Sequence, residues 1–101
     1  MLKERLCVLS IAGFDPCGGA GVIADIKTFE ANKVLGFGVV TVLTFQNELE
    51  FEGLKWIETN DMLKQIEILF KKYKIDSVKI GMVKDMEMMN ALISEISAER
   101  T

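Results

Sequence analysis

A glycine-rich stretch that follows a short apolar run constrains the fold of this chain more than any other feature. Residues 6–11 (Leu-Cys-Val-Leu-Ser-Ile) form a nearly continuous apolar run, which Ala12 and Gly13 end. Such a run is typical of a strand that is buried on both faces, as in a parallel sheet. Residues 13–21 then contain four glycines and one proline, which predict a turn-forming loop. Apolar side chains recur at helical spacing from about Ala20.

The rest of the chain continues this alternation of strands and helices. We predict a helix to about residue 32, a β-branched strand over residues 39–44, a short edge strand within 48–56, a helix capped by Thr59 or Asn60, a short strand over 77–80 and a helix over about 85–98. Strands and helices of these lengths imply right-handed parallel crossovers. We therefore expect one α/β domain, or a piece of one, built as a three-layer α/β/α sandwich with a mostly parallel sheet.

Two finer expectations concern residues at the borders of these elements. Gly36 and Gly38 are expected to precede the second strand and so to end the first helical unit. In the last helix, the apolar spacing predicts that Met86 and Met89 face the core, and that Met88 points away from it.

Composition narrows the classes of function. Half of the 101 residues are hydrophobic and one is proline, which favours a folded chain over disorder. The net charge is −3 and the basic residues are scattered, so nucleic-acid binding is disfavoured. No apolar run approaches the length of a membrane span, and the N-terminal run is too short for a secretory signal, so the expected location is the cytoplasm, with no membrane partner.

The two cysteines do not indicate a metal site. Cys7 and Cys17 match no metal-ligand spacing, and reduced thiols fit best, so no metal is expected. Cys7 lies in a predicted buried strand. Cys17 lies in a loop near a helix start, where the pKa of a thiol can fall.

The glycine-rich loop can be compared with two nucleotide-binding templates. A P-loop requires a lysine after its second fixed glycine, but Gly19 follows Gly18, so that template fails. Residues 19–24 (Gly-Ala-Gly-Val-Ile-Ala) fit the dinucleotide pattern, yet the second strand closes with Thr-Phe-Gln rather than with an acidic residue. Free amides at the helix start would favour an anion or a polar ring edge. The glycines could also serve only the packing of helix on strand.

Three separated motifs resemble those of the hydroxymethylpyrimidine/phosphomethylpyrimidine kinases, ribokinase-like enzymes of thiamine biosynthesis. Residues 10–21 (Ser-Ile-Ala-Gly-Phe-Asp-Pro-Cys-Gly-Gly-Ala-Gly) with 24–29 are similar to the opening signature of that family. Residues 39–47 resemble its second-strand motif, which ends in Gln-Asn, and residues 75–82 resemble its later Lys-Ile-Gly-Met segment. The motifs occur in family order from about residue 6 to residue 96.

The resemblance implies a pyrimidine site. By matched position, Gln46 presents its amide to the ring, and an amide can pair with adjacent donor and acceptor atoms of an aminopyrimidine edge. Asp25 accepts a hydrogen bond from the hydroxymethyl group, Met82 covers one face of the ring, and Gly13 and Ala20 leave room for it. The substrate-binding set implied in this way is Gln46, Asp25, Gly13, Ala20, Met82 and Thr44.

The chain also departs from the family that it resembles. Phe14 and Phe45 replace residues that are usually smaller, so a pocket of different size and substrate choice is expected, and residues 48–53 are more acidic than usual. Complete members are more than twice as long, and ATP and Mg²⁺ are implied only for them. We therefore expect residues 1–101 to be the N-terminal portion of a single ribokinase-like domain that has no catalytic residue of its own and does not phosphorylate hydroxymethylpyrimidine alone.

Several readings stay open at this point. An incomplete parallel sheet exposes a strand edge, so we expect a homo-oligomer or a complementing chain as partner, besides a small-molecule pyrimidine. The chain could be the N-terminal part of a kinase, a short module that binds a pyrimidine without chemistry, or a relic that folds by oligomerisation. The alternative with a different chemistry is that the chain is part of a dinucleotide-binding α/β domain.

Overall fold

The computed structural model describes residues 5–100, and its elements follow the predicted order. Each predicted helix and strand is present, whereas several bounds differ by a few residues. The elements are β1 (Cys7–Phe14), α1 (Gly21–Ala31), β2 (Leu35–Gln46), β3 (Phe51–Trp56), α2 (Thr59–Lys72), β4 (Ser77–Ile80) and α3 (Met86–Glu99).

The strands form one sheet in the order β3-β2-β1-β4. Strand β1 pairs in parallel with both β2 and β4, and β3 pairs with β2 in the antiparallel direction at the sheet edge. Helix α1 packs on one face of the sheet, and α2 and α3 pack on the other. The predicted three-layer sandwich with a mostly parallel sheet is confirmed.

The larger core lies between the sheet and helices α2 and α3. Successive side chains of a strand point to opposite faces, so Leu9, Ile11 and Val39 reach this layer together. Each buried side chain of this size contributes about 1.5–3 kcal/mol relative to its exposed state. From the helices and the α2–β4 connection, the core receives Met62, Ile66, Ile75, Met88 and Leu92.

The predicted core face of α3 is wrong at its first turn. Met88 is 2% exposed and Met86 is 69% exposed, the reverse of the expectation. Asp85 begins the helix by accepting a hydrogen bond from the Met88 amide at 2.9 Å, and the helix then turns Met88 and Leu92 to the core. Periodicity could not choose between this stripe and the one that starts at Met86, because both are apolar.

Two further expectations are corrected at element borders. The N-cap of α2 is Glu58, without a side-chain capping bond, rather than Thr59 or Asn60. Strand β2 begins at Leu35, so Gly36 and Gly38 lie inside the strand instead of before it. Their role is close packing, because a Cβ at Gly36 would lie 2.9 Å from a ring carbon of Phe29 in α1.

We predict that Gly38→Ala destabilises the fold. The added Cβ would lie 2.5 Å from Val22 Cγ1, and Val22 is a buried β-branched side chain that cannot swing away. Overpacking of this kind costs about 1–3 kcal/mol, which urea denaturation would measure. The control is Gly19→Ala, whose Cβ would meet its nearest atom at 3.5 Å. Equal stability of the two variants would contradict this account of the helix contact.

Helices α2 and α3 also bring three carboxylates together. Oxygen atoms of Glu67, Glu95 and Glu99 lie within 4.8 Å of one another. A hydrogen bond with Glu99, partial desolvation and the negative charges of both neighbours raise the pKa of Glu95. Because the folded state holds this proton more tightly than the unfolded state, the associated stability is present at low pH. It is lost as the pH rises through the raised pKa.

We therefore predict that Glu95→Gln stabilises the chain at pH 7 and not at pH 4. Like charges four residues apart on a helix cost roughly 0.2–0.5 kcal/mol, and the substitution removes that repulsion. Chemical denaturation at the two pH values measures the difference. Glu87→Gln is the control on the same helix, because an acidic residue in the first turn is favourable and its loss gives no gain. A gain from Glu95→Gln of the same size at both pH values would refute the assignment.

Candidate functional site

The glycine-rich loop (residues 13–21) returns the chain directly onto the end of β1. Gly21 begins α1 with a φ of +68°, and a Cβ at this position would collide with the carbonyl oxygen of Gly13. Phe14 and Gly21 form an isolated antiparallel bridge across the loop. Glycine is required at residue 21 for both reasons, because its φ is positive and the backbones touch. The first turn of α1 is thereby held beside the carboxyl end of β1.

Asp15 holds the loop together by accepting hydrogen bonds from its backbone amides. Its carboxylate accepts hydrogen bonds from the amides of Cys17 (3.0 Å) and Gly19 (3.1 Å), and its carbonyl accepts one from the amide of Gly18 at 2.9 Å. Two loop amides are therefore occupied by the chain's own carboxylate. The N-cap of α1 is Ala20, which supplies no side-chain acceptor to the first-turn amides. The amides expected to be available to a ligand are those of the first turn rather than those of the loop.

A relay of hydrogen bonds ties the end of β2 to this loop. The side-chain amide of Gln46 donates to Thr44 Oγ1 at 2.8 Å, and the Thr44 hydroxyl donates to the carbonyl oxygen of Phe14 at 2.9 Å. Phe14 directly follows the buried Gly13. The relay thus involves the carboxyl ends of β1 and β2, which is where open α/β folds place ligands. Three residues of the predicted set lie there: Gln46, Thr44 and Gly13.

A cleft of ≈300 Å³ opens beside Gln46. Its lining comes from the end of β2, the hairpin turn (residues 47–50) and the start of β3. The side-chain oxygen of Asn47 accepts hydrogen bonds from the amides of Leu49 and Glu50, both at 2.8 Å, which orders the turn. The lining residues are Phe45, Gln46, Asn47, Glu50 and Glu52.

The hairpin turn also contacts the glycine-rich loop. The exposed thiol of Cys17 donates a hydrogen bond to Glu48 Oε2 at 3.5 Å. Local desolvation and this carboxylate, with a further contribution from Asp15, raise the pKa of the Cys17 thiol. The position near a helix start is one where the pKa of a thiol can fall, but here local desolvation and the carboxylates of Glu48 and Asp15 raise the pKa instead.

Asp25 lies on α1 and is held at both oxygens by strand residues. Ser10 on β1 donates to Oδ2 at 2.7 Å, and Lys79 on β4 forms an ion pair with Oδ1 at 2.6 Å. The Asp25 side chain is 13% exposed and that of Lys79 is 55% exposed. Ser10 is four strand residues before Phe14, to which Gln46 is tied, a spacing of roughly 13 Å along β1. Asp25 and Gln46 therefore lie at different depths of the same face.

Lys79 and Ser10 are the residues that sequence reasoning missed here. Ser10 lies in the motif at residues 10–21 and Lys79 in the motif at residues 75–82, but the motifs alone imply no role for either side chain. The signal was available in the pairing of parallel strands, because Ser10 and Lys79 are register partners on adjacent strands and so point to the same face. Only the position of α1 shows that this face meets Asp25.

The two remaining residues of the predicted set are Met82, which follows β4, and Ala20, which directly precedes α1. The carbonyl of Met82 accepts a hydrogen bond from the buried Thr41 hydroxyl at 2.6 Å, and its side chain is exposed. The preceding Gly81 donates its amide to Ile11 at 2.7 Å, which holds this segment beside the end of β1. Ala20 is exposed at the start of α1.

Comparison with known proteins identifies a family. The family model described as phosphomethylpyrimidine kinase matches residues 15–101. The hydroxymethylpyrimidine/phosphomethylpyrimidine kinase of Salmonella typhimurium is 37% identical over 93 residues, which cover 92% of this chain and 35% of that protein. The protein of the same name from Aquifex aeolicus is 33% identical over 96 residues, which cover 95% of this chain and 38% of that protein.

Solved structures agree with the sequence match. A phosphomethylpyrimidine kinase from Clostridium difficile superposes with a TM-score of 0.88 at 34% identity, over 95% of this chain and 42% of that one. A pyridoxal kinase of Bacillus subtilis, solved as an ADP complex, gives a TM-score of 0.86 at 26% identity, over 96% of this chain and 38% of that one. The fold is thus part of the ribokinase-like fold of vitamin kinases.

The chain spans about a third of the length of the curated relatives that it matches. None of the helices within residues 5–100 is long and apolar enough to cross a membrane. The family model and the curated relatives name the same kind of enzyme, and the chain belongs to the phosphomethylpyrimidine kinase family.

Proposed function

We propose that this chain is the N-terminal, pyrimidine-binding segment of a kinase that phosphorylates 4-amino-5-hydroxymethyl-2-methylpyrimidine and its monophosphate with ATP in thiamine biosynthesis. The observation that carries the proposal is the relay from Gln46 through Thr44 to Phe14, beside the glycine-rich loop. It holds a polar amide at the carboxyl end of two neighbouring parallel strands. Residues 1–101 are in this proposal one portion of a single ribokinase-like domain.

The chemistry of the Gln46 amide supports a pyrimidine ring as ligand. A glutamine side chain has two N–H donors and one carbonyl acceptor, and the hydrogen bond to Thr44 uses one of the donors. The second donor and the carbonyl match the adjacent ring nitrogen and amino group of an aminopyrimidine. Each such neutral hydrogen bond contributes about 0.5–1.5 kcal/mol. Because Thr44 fixes the amide beforehand, little rotamer freedom is lost when the ring binds.

The other residues of the predicted set have separate roles in this proposal. Gly13 and Ala20 leave space for the ring, and Met82 covers one of its faces. Asp25 accepts a hydrogen bond from the hydroxymethyl group through a bridging water, because the roughly 13 Å between Ser10 and Phe14 along β1 exceeds the reach of one ring. Its bonds to Ser10 and Lys79 do not prevent this, because each carboxylate oxygen can accept more than one hydrogen bond.

ATP and Mg²⁺ belong to the complete enzyme in this proposal. Within residues 5–100, the group of acidic side chains close enough to hold a cation is Glu67, Glu95 and Glu99. Glu95 and Glu99 lie in the last turns of α3, which runs antiparallel to the strands, so they are near the amino ends of the strands and away from Gln46. The described residues therefore do not fit a magnesium site beside the cleft, and no catalytic step is assigned to them.

We predict that the chain binds 4-amino-5-hydroxymethyl-2-methylpyrimidine with a Kd in the micromolar range, about −8 kcal/mol, as measured by calorimetry. Gln46→Ala should weaken binding at least tenfold, because two ring hydrogen bonds are lost. Thr44→Val should weaken it several-fold by releasing the amide.

Thr44→Ser is the matched control, because it keeps the hydroxyl that receives the Gln46 amide, and it should bind nearly as well as the wild type. Unchanged affinity in Gln46→Ala would refute the proposed site. Complete absence of ligand binding in the folded wild type would favour the alternative of an oligomerising module.

We also propose that the segment works with a partner polypeptide, either a second copy or a complementing chain. Within residues 5–100, strand β4 pairs only with β1, so its outer edge is open. A groove of ≈320 Å³ between β4 and α3 lies along this edge and includes Val78, Ile80, Ile93 and Ile96 in its lining. An open strand edge beside apolar side chains favours association. A short, non-catalytic oligomerising module is the second candidate that this surface supports.

We predict concentration-dependent self-association in sedimentation velocity. Ile93→Glu should shift the protein towards the monomer, because it places a charge in the groove beside β4. The control is Ile68→Glu, which alters an isoleucine that is also exposed but lies on α2. A compact wild-type monomer at high concentration, or equal effects of the two substitutions, would count against this surface.

A further inference from the structure

Phe45 is a large aromatic side chain that remains in solvent beside the cleft. It is 52% exposed, and it lines the cleft together with Gln46. Removing apolar area from water is favourable, and an aromatic ring offers a broad flat face for contact. Phe45 therefore presents apolar surface that a ligand bound beside Gln46 would cover.

An irregularity in the pairing of β2 with β3 brings Phe45 and Gln46 to the same cleft. Successive side chains of a regular strand point to opposite faces of the sheet. Here Phe45 pairs with Gly53 whereas Gln46 pairs with Phe51, so the register shifts by one residue between them. A bulge of this kind redirects side chains, and bulges are common next to binding sites. Two consecutive residues can thus contact one ligand, the first with a ring and the second with an amide.

Gly53 provides the space in which the Phe45 ring lies. Its φ is +149°, a conformation that residues with a side chain rarely adopt. A Cβ at this position would lie 3.9 Å from a ring carbon of Phe45, so the ring rests across the backbone of a residue that has no side chain. Such cross-strand packing on a glycine restrains an aromatic ring. Little rotamer freedom is then lost when the ring contacts a ligand.

We propose that Phe45 stacks on the face of the pyrimidine ring whose edge pairs with Gln46, and that it thereby makes the site specific for flat heteroaromatic ligands. This inference rests on the proposed function and adds a specificity-determining residue to it. Loss of an aromatic side chain that stacks on a nucleobase weakens binding by roughly five- to a hundredfold. Stacking depends on the ring and not on the charge of its substituent, so it serves both the pyrimidine alcohol and its monophosphate.

Calorimetry with the alcohol and with the monophosphate tests the effect on affinity. Phe45→Leu keeps an apolar side chain but removes the ring, and it should weaken binding of both ligands by the same factor, roughly fivefold or more. Phe45→Tyr keeps the ring and should bind nearly as well as the wild type. The control is Phe51→Leu, which removes a similarly exposed ring from the same hairpin but outside the lining of the cleft, and should leave both affinities unchanged.

Proton NMR of the bound pyrimidine gives a readout that a purely structural role of Phe45 would not move. Ligand protons that lie over the face of an aromatic ring shift upfield because of its ring current. The carbon-bound proton signals of the pyrimidine should therefore move upfield on binding to the wild type and to Phe45→Tyr. At saturating protein, this displacement should be lost in Phe45→Leu and retained in Phe51→Leu.

The outcomes separate this inference from the function on which it rests. If the wild type binds neither ligand, the proposed function fails, and the stacking role fails with it. If the wild type binds but the ligand signals do not move upfield, or if Phe45→Leu binds as tightly as the wild type, the inference alone is overturned. It is also overturned if Phe51→Leu weakens binding as much as Phe45→Leu, or if the loss is confined to one of the two ligands.

Discussion

The contact between Gly21 and the carbonyl of Gly13 is the constraint on which the rest of this structure depends. Any side chain at residue 21 would collide with that carbonyl, and the positive φ there suits glycine alone. The contact starts α1 against the end of β1 instead of a few residues later. Glycines at residues 36 and 38 extend the same close approach along β2. Helix α1 therefore packs close to the sheet, and its first turn lies at the carboxyl ends of the strands.

The candidate site follows from that placement. The end of β2 passes the loop, and the relay from Gln46 to Phe14 joins the two segments without a large side chain between them. Deeper on the same face, Ser10 and Lys79 receive Asp25 from α1. The hairpin turn then closes one side through the contact of Glu48 with Cys17. Backbone proximity, rather than a cluster of reactive side chains, defines the candidate site.

Sequence alone predicted the elements and their order, because strands and helices differ in the period of their apolar residues. It failed where two patterns were equally apolar, as for Met86 and Met88, and where a glycine belonged to a strand instead of a turn, as for Gly36 and Gly38. Those choices are made by tertiary packing, which a local pattern does not contain.

Some residues of the candidate site could be placed from the sequence, whereas their contacts with other elements could not. Gln46, Thr44 and Gly13 lie together because β1 and β2 pair in parallel and end at the same side of the sheet, and a mostly parallel sheet was predicted. The ion pair of Asp25 with Lys79 joins residues that are 54 positions apart, so it required the register of β4 on β1. The raised pKa of Cys17 likewise depends on Glu48, which reaches it from a hairpin turn that no motif specifies.

The central claim is that a pyrimidine ring is seated between the glycine-rich loop and the amide of Gln46. The most direct measurement is a nitrogen-15 NMR titration that follows the side-chain amides of Gln46 and Gln65, the latter lying on α2 as an internal reference. The account predicts that the Gln46 side-chain signals and the backbone amides of residues 13 and 20 shift together and saturate with ligand, while Gln65 stays in place. Saturable shifts confined to α2, α3 or β4, with Gln46 unmoved, would contradict it.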